Sequence, residues 1–234
     1  MSGILYLIPT TISSADPDNA LPANLLPTVN LLDEFIVENI KTTRRFLRSI
    51  GFKKDFNHIP YHLLNKHTSS EEIPSFLKGM EQGNNIGLFS EAGVPCVADP
   101  GAIIVKFAHQ KNLTVKPLSG PSSIFMALSA SGFNGQNFAF NGYLPIDNKA
   151  RRDKIRQFEQ RVWQEDQTQI FIEAPYRNNA VLDAFLTSCR PQSMLCVASN
   201  VSAPDEFIKT LPVYGWKKQK PDLHKKNTVF LLYK

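Results

Sequence analysis

Short apolar runs alternate with longer amphipathic stretches along the chain, the pattern of strands and helices taking turns in an α/β protein. In the first half, the runs at 3–8 (GILYLI), 34–38 (EFIVE), 58–63 (HIPYHL), 86–90 (IGLFS) and 113–118 (LTVKPL) have the length of strands. Residues 41–50 between them set Phe46, Leu47 and Ile50 on one helical face and Arg44, Arg45 and Arg48 on the other. A helix over 70–82 opens on Ser70 and Glu71-Glu72, negative charge where a helix N-terminus favours it. Another over 100–111 follows Asp99-Pro100, an N-cap residue and then a proline at the first helical position. These elements predict a nearly complete parallel sheet by about residue 118.

Gly120-Pro121 is a turn signal, and a helix over 121–131 follows it. Strands are predicted at 137–143, 168–173, 194–199, 206–211 and 228–233, with helices at about 148–163 and 178–189. The last three strands leave no room for long helices between them, so this sheet is expected to be mixed. The chain thus reads as two α/β lobes, 1–118 and 119–234, the first on a mostly parallel five-stranded sheet.

Composition narrows the setting. The 234 residues are 42% hydrophobic, enough for buried cores. No apolar run reaches the roughly 18 residues of a membrane span. Met1 to Ile8 has no basic region before its apolar stretch, so it reads as a strand rather than a secretion leader, and the cytoplasm is expected. Cys96, Cys189 and Cys196 lack any metal-ligand spacing and read as buried thiols, so no metal is expected. The net charge of +5 is compatible with a polyanionic partner. Lys149, Arg151, Arg152, Lys154, Arg156 and Arg161 crowd one segment, and Lys217, Lys218, Lys220, Lys225 and Lys226 another. For either cluster alone a solvated face is the plainer reading.

Three turns stand apart as candidate chemistry: Pro9-Thr10-Thr11 after the first strand, Ser90 to Pro95 with Asp99-Pro100-Gly101 after the fourth, and Ser119 to Ser123 after the fifth. All lie at carboxyl ends of strands, where open α/β sheets bind ligands. Small residues there allow close backbone approach, and helix starts can offer N–H groups.

In order and spacing these turns resemble the tetrapyrrole methylase-like, S-adenosylmethionine-dependent methyltransferases. Within them they resemble the ribosomal RNA small-subunit methyltransferase I branch, which methylates a cytidine ribose 2′-oxygen. The family's P-T-P-I-G reads Pro9-Thr10-Thr11-Ile12-Ser13, and its S-D-A-G-T-P reads Ser90-Glu91-Ala92-Gly93-Val94-Pro95. Its P-L-P-G-P-S-A is Pro117 to Ser123, and A-L-S-A-S-G-F is unchanged over Ala127 to Phe133. F-x-G-F-L-P, K-x-R-R and F-Y-E-S-P-H-R are matched by Phe140 to Pro145, Lys149 to Arg152 and Phe171 to Arg177. Departures fall where a substrate would be read. E-D-T-R becomes Glu38-Asn39-Ile40-Lys41, H-D-H-N-E becomes Asn65-Lys66-His67-Thr68-Ser69, and R-E-L-T-K becomes Ser199 to Ala203.

The resemblance implies a tetrapyrrole methylase fold with the cofactor, S-adenosyl-L-methionine, in a cleft between the lobes. Implied cofactor contacts are Pro9, Ala92, Gly93, Val94, Val97, Ser122, Ser123, Ile172 and Ala198. Glu38 and His67 are candidates to take a hydroxyl proton, with a surface carboxylate paired to Lys41 and an exposed loop histidine as the plainer alternatives. Lys41, Arg151, Arg152 and Arg177 are candidate phosphate contacts on ribosomal RNA or the small ribosomal subunit. A homodimer is implied. Methylation of a small molecule such as a tetrapyrrole, or a catalytically inactive cofactor-binding module, stay open beside RNA methylation. A serine hydrolase does not fit, because Ser122 lacks a G-x-S-x-G setting.

Overall fold

A computed structural model describes residues 2–13, 16–65, 67–69 and 71–234. The chain divides into two compact units, Met1–Ser122 and Ser123–Lys234.

In the first unit, β1 (Ile4–Ile8), β2 (Glu34–Val37), β3 (Tyr61–Leu63), β4 (Ile86–Phe89) and β5 (Thr114–Pro117) form a parallel sheet in the order β3-β2-β4-β1-β5. The inner strands β2 and β4 are buried at every position, as strands covered on both faces must be. Alternate side chains serve opposite faces. Tyr6, Ile8, Phe35, Val37 and Phe89 pack with Leu25 and Val29 of α2 (Leu25–Val29) and Leu47 of α3 (Ile40–Ser49). A short α1 (Pro17–Ala20), capped by Asp16, precedes α2. Leu5, Ile36, Ile86 and Leu88 pack on the other face. They meet Leu77, Met80 of α4 (Lys78–Glu81), and Ile104 and Ala108 of α5 (Ala102–Gln110).

This distribution has a topological consequence. Connections leaving β1 and β2 cover one face, whereas those leaving β3 and β4 cover the other. The turn after β4 therefore departs to the face opposite the turns of both its neighbours, β1 and β2, the strand arrangement at whose carboxyl edge α/β sheets bind ligands.

In the second unit, β6 (Phe138–Phe140), β7 (Thr168–Glu173), β8 (Met194–Ser199), β9 (Phe207–Pro212) and β10 (Thr228–Tyr233) follow the order β6-β7-β10-β8-β9. Only β6 and β7 are parallel, so the sheet is mixed, as expected. On one face α7 (Asn148–Glu165), α8 (Asn178–Ser188) and α9 (Val213–Trp216) bring Ile155, Phe158, Val181, Phe185 and Trp216 onto Phe171, Leu195, Val197 and Phe230. The Trp216 indole N–H donates to the Leu195 carbonyl at 2.8 Å, satisfying its one polar group in the core. α6 (Ser123–Ser131) packs along β9 and β10, tied by Thr210 Oγ1 donating to the Ser131 carbonyl at 2.8 Å.

Several expected elements differ. The predicted helix over 70–82 is a 3-10 turn at Ile73–Leu77 running into α4, because Pro74 has no N–H to carry a regular helical ladder. Its expected opening residue, Ser70, lies outside the described residues. The helix expected from Pro100 starts at Ala102, because the Asp99 carboxylate holds the preceding turn instead. The expected strand 58–63 begins at Tyr61 after a 3-10 turn, and 137–143 is cut short ahead of Gly142, whose φ is +64°.

Candidate functional site

The turns after β1, β4 and β5 meet at the carboxyl edge of the first sheet. The Thr10 N–H donates to the Gly93 carbonyl at 3.0 Å, and the Ser90 hydroxyl donates to the same carbonyl at 3.0 Å. Thr10 Oγ1 donates to the Ser90 carbonyl at 3.4 Å, so both buried hydroxyls are partnered. Gly93 has φ +74°, and a Cβ there would lie 3.0 Å from the Pro121 carbonyl oxygen and 3.1 Å from Ile12 Cγ2. A Cβ on Gly120 would lie 2.1 Å from Pro9 Cβ. Only glycine permits these approaches, and they keep Ser119–Ser122 with the first unit rather than the second, where the sequence boundary at 118 put them.

Past Gly93 the β4 turn stays tightly wound, with Cys96 at φ +70° and Ala98 at φ +64°. Non-glycine residues hold such angles only when their surroundings over-determine them. Asp99 does so here, accepting the Cys96 N–H at 2.8 Å and the Gly101 N–H at 2.7 Å. Burial raises the Asp99 pKa even though these bonds oppose it. Burial, with the Asp99 charge, pushes the Cys96 thiol up to about 12, so it is no nucleophile at neutral pH.

Glu38, at the end of β2, joins this turn: its Oε1 accepts the Glu91 N–H at 3.3 Å. Burial raises its pKa, the Glu91 N–H opposes that, and the charges of Asp99 and Glu91 raise it further. Thr42 Oγ1 donates to Glu91 Oε1 at 2.6 Å, a link that the threonine beside the changed E-D-T-R segment could have signalled. In that segment Asn39 does what an aspartate would do, accepting the N–H groups of Lys41 and Thr42 as the N-cap of α3. Lys41 is exposed in the first helical turn and forms no ion pair with Glu38 among the described residues.

His67 is not brought to Glu38. It stands exposed on the loop after β3, with its backbone N–H on Asn65 Oδ1 at 2.8 Å. Ala92 and Val97 are exposed, and Val94, Ser122 and Ser123 half-buried. Among the described residues, the N–H groups of Ala92, Gly93, Val94 and Ser122 have no protein acceptor. Free donors beside three carboxyls suit a ligand that carries both a carboxylate and positive charge. In the second unit Ile172 and Ala198 are both register partners of Val229, one on each side, and form one row across β7, β10 and β8. Ala198 is fully buried in that row.

The expected phosphate contacts divide. Arg151 is only 5% exposed. Its guanidinium donates to the carbonyls of Ile146, at 3.1 Å, and Pro145, at 3.4 Å, and to Asn148 Oδ1. Desolvation, and then the Arg177 charge, lower its pKa. Arg177 likewise donates to the carbonyls of Pro145 and Leu144 at 3.1 and 3.3 Å, and stands 3.2 Å from Glu173 Oε2. Arg151 is therefore a clamp on the 144–146 loop rather than a phosphate contact, and Arg177 is largely committed to the same task. Arg152 and Lys149 are exposed on α7. Among the described residues no group of three or more histidine, cysteine, aspartate or glutamate side chains could hold a metal ion.

Residues 33–214 match the family model described as Tetrapyrrole (Corrin/Porphyrin) Methylases. Ribosomal RNA small subunit methyltransferase I of Haemophilus influenzae is 32% identical over 177 residues, 76% of this chain and 58% of that relative. The chain thus spans less than two thirds of that relative's length. The protein of the same description from Bacillus subtilis is 31% identical over 92% of this chain and 70% of its own, and that from Buchnera aphidicola subsp. Schizaphis graminum 27% over 99% and 78%. Among solved structures, the methyltransferase CobJ superposes with a TM-score of 0.63 at 13% identity, covering 100% of this chain and 94% of its own. Uroporphyrin-III-C-methyltransferase from Thermus thermophilus superposes with a TM-score of 0.56 at 16% identity, covering 100% and 93%. At these identities the likeness is one of fold.

Proposed function

Because the chain belongs to the tetrapyrrole (corrin/porphyrin) methylase family, we propose that it is an S-adenosylmethionine-dependent methyltransferase acting on small-subunit ribosomal RNA at a ribose 2′-oxygen. The relatives described as ribosomal RNA methyltransferases support RNA over a tetrapyrrole as acceptor. The observation that carries the donor site is the meeting of the β1, β4 and β5 turns, locked by Thr10 on Gly93 and by Gly120 on Pro9.

S-adenosylmethionine supplies an electrophilic methyl group on a positively charged sulfur. Ala92, Gly93, Val94 and Ser122 offer backbone donors for its carboxylate and hydroxyls, with Pro9 and Val97 as apolar walls. Glu38, Glu91 and Asp99 provide negative charge that favours a cationic ligand. Methyl transfer is an in-line displacement, so the rate rests on how rigidly these turns hold their positions. Glu38 accepts the acceptor hydroxyl's proton, and its raised pKa makes it a stronger base than an ordinary carboxylate. Exposed Lys41 and Arg152 meet RNA phosphates.

The setting is the cytoplasm, where ribosomal subunits are found; among the described residues no helix is long and apolar enough to cross a membrane. Family resemblance supports a homodimer, which sedimentation would show as twice the 26.3 kDa chain mass. The test is calorimetric titration with S-adenosylmethionine, then transfer of labelled methyl to small-subunit RNA, free or in the subunit. One molecule bound per chain and label on a ribose are expected. Label on a tetrapyrrole and none on RNA overturns the acceptor. Binding without transfer to either leaves only a cofactor-binding module, and no binding removes the donor site.

A further inference from the structure

The parallel neighbours β6 and β7 send two loops off the same edge of the second sheet, 141–147 and 174–177. Between them and α7 lies a cavity of about 540 Å³, within the range of pockets that take small molecules. Its inner wall is Leu144 and Phe158, both buried, and its rim carries Tyr143 and Tyr176, which are 60% and 73% exposed. Large aromatic rings held in water at the mouth of an apolar pocket mark a surface built to be covered. The rim is also held firmly: Arg151 and Arg177 grip the carbonyls of 144–146, beside Tyr143, and Glu173 braces Arg177.

Cations surround this mouth. Lys154 lines the cavity with its Nζ 5.1 Å above the Phe158 ring, and Lys149 and Arg152 line a neighbouring groove of about 380 Å³. Of the acids in that groove, Asp153 pairs with Arg156 at 3.0 Å and Asp147 caps α7. Lys149, Arg152 and Lys154 have no carboxylate partner among the described residues. Stacking surfaces beside unpaired cations are what single-stranded nucleic acid binds. Alternation along β7 puts Glu173 and Phe171 on the α7 face and Ile172 on the other, so the pocket is separate from the Ile172–Val229–Ala198 row.

We infer that this pocket is an accessory RNA subsite for one unpaired nucleotide, its base stacked on Tyr143 and Tyr176 and its flanking phosphates on Lys149, Arg152 and Lys154. The inference rests on the RNA reading above and adds where the strand is gripped away from the donor.

The test is fluorescence anisotropy with a fluorescein-labelled, mixed-sequence single-stranded RNA, and with the same RNA annealed to its complement. Y143A/Y176A loses about tenfold in single-strand affinity, with an unchanged salt slope and unchanged duplex binding, while Y143F/Y176F binds as wild type. Lys149→Ala with Arg152→Ala instead flattens the single-strand salt slope by about 1.4. Wild-type affinity in Y143A/Y176A, or an equal loss on duplex, overturns the subsite alone. A wild-type chain that binds neither RNA overturns the RNA reading itself, and the subsite with it.

Discussion

Gly120→Ala puts a methyl group where the turns after β5 and β1 touch. The added Cβ would lie 2.1 Å from Pro9 Cβ and 2.5 Å from Pro9 Cγ. Carbon atoms in van der Waals contact sit about 3.5–4.0 Å apart, so the turns must separate by roughly 1.5 Å. Pro9 cannot swing aside, because its ring is closed on the backbone and Thr10 beside it is tied to Gly93. Such overpacking costs about 1–3 kcal/mol of stability. The larger effect falls on function, because a displacement of about 1 Å in a positioned site costs about a hundredfold in rate. We expect S-adenosylmethionine affinity by calorimetry to fall at least about tenfold, with a clear loss of stability in denaturant. Gly135→Ala is the control, since among the described residues nothing lies within 4 Å of its Cβ position, and its stability should stay within about 0.5 kcal/mol of wild type. Wild-type donor affinity and stability in Gly120→Ala would refute the reasoning that these turns dock to form the donor site.

Other outcomes follow from the same geometry. Glu38→Gln keeps an acceptor for the Glu91 N–H but removes the base, so transfer should fall about 10²–10⁴-fold with donor affinity little changed; an unchanged rate would remove Glu38 from the chemistry. The raised pKa values of Glu38 and Asp99 also set a pH dependence of stability. The folded state holds these protons more tightly than the unfolded one, so their contribution is favourable at acid pH. It is lost as pH rises from the ordinary 4.5 and 3.8 through the higher folded values. Melting curves of wild type and Glu38→Gln should therefore agree in acid and separate in favour of the variant as pH rises; separation in the opposite sense would contradict the sign. Arg151→Ala should cost about 2–3 kcal/mol, from lost charged hydrogen bonds in a buried position, whereas Arg152→Ala should leave stability unchanged and reduce the RNA salt slope by about one. Equal melting temperatures for the two variants would show that the loop clamp is not needed.

The strands and the three turns were legible because their signals are local. Runs such as IGLFS and TVFLLY declare buried strands by length alone, and Gly-Pro and Asp-Pro-Gly mark turns by backbone restriction. Burial of charge is not local. Arg151 and Arg152 are neighbours in one basic run, yet helical geometry turns the first onto the 144–146 carbonyls and the second into water. α1 and α2 leave no periodic signal in the sequence because they are short and punctuated by Pro17, Pro22 and Pro27. Glu38 and His67 looked equivalent as polar residues after adjacent strands, but only Glu38 reaches the β4 turn, because β2 lies beside β4 while β3 is at the edge of the sheet.

The donor site is tested most directly by ultraviolet cross-linking of methyl-labelled S-adenosylmethionine to the intact chain, followed by peptide mapping. The label should reside in peptides covering 8–13, 90–99 and 118–122, and excess unlabelled donor should remove it. Competable label confined to other segments would contradict the account.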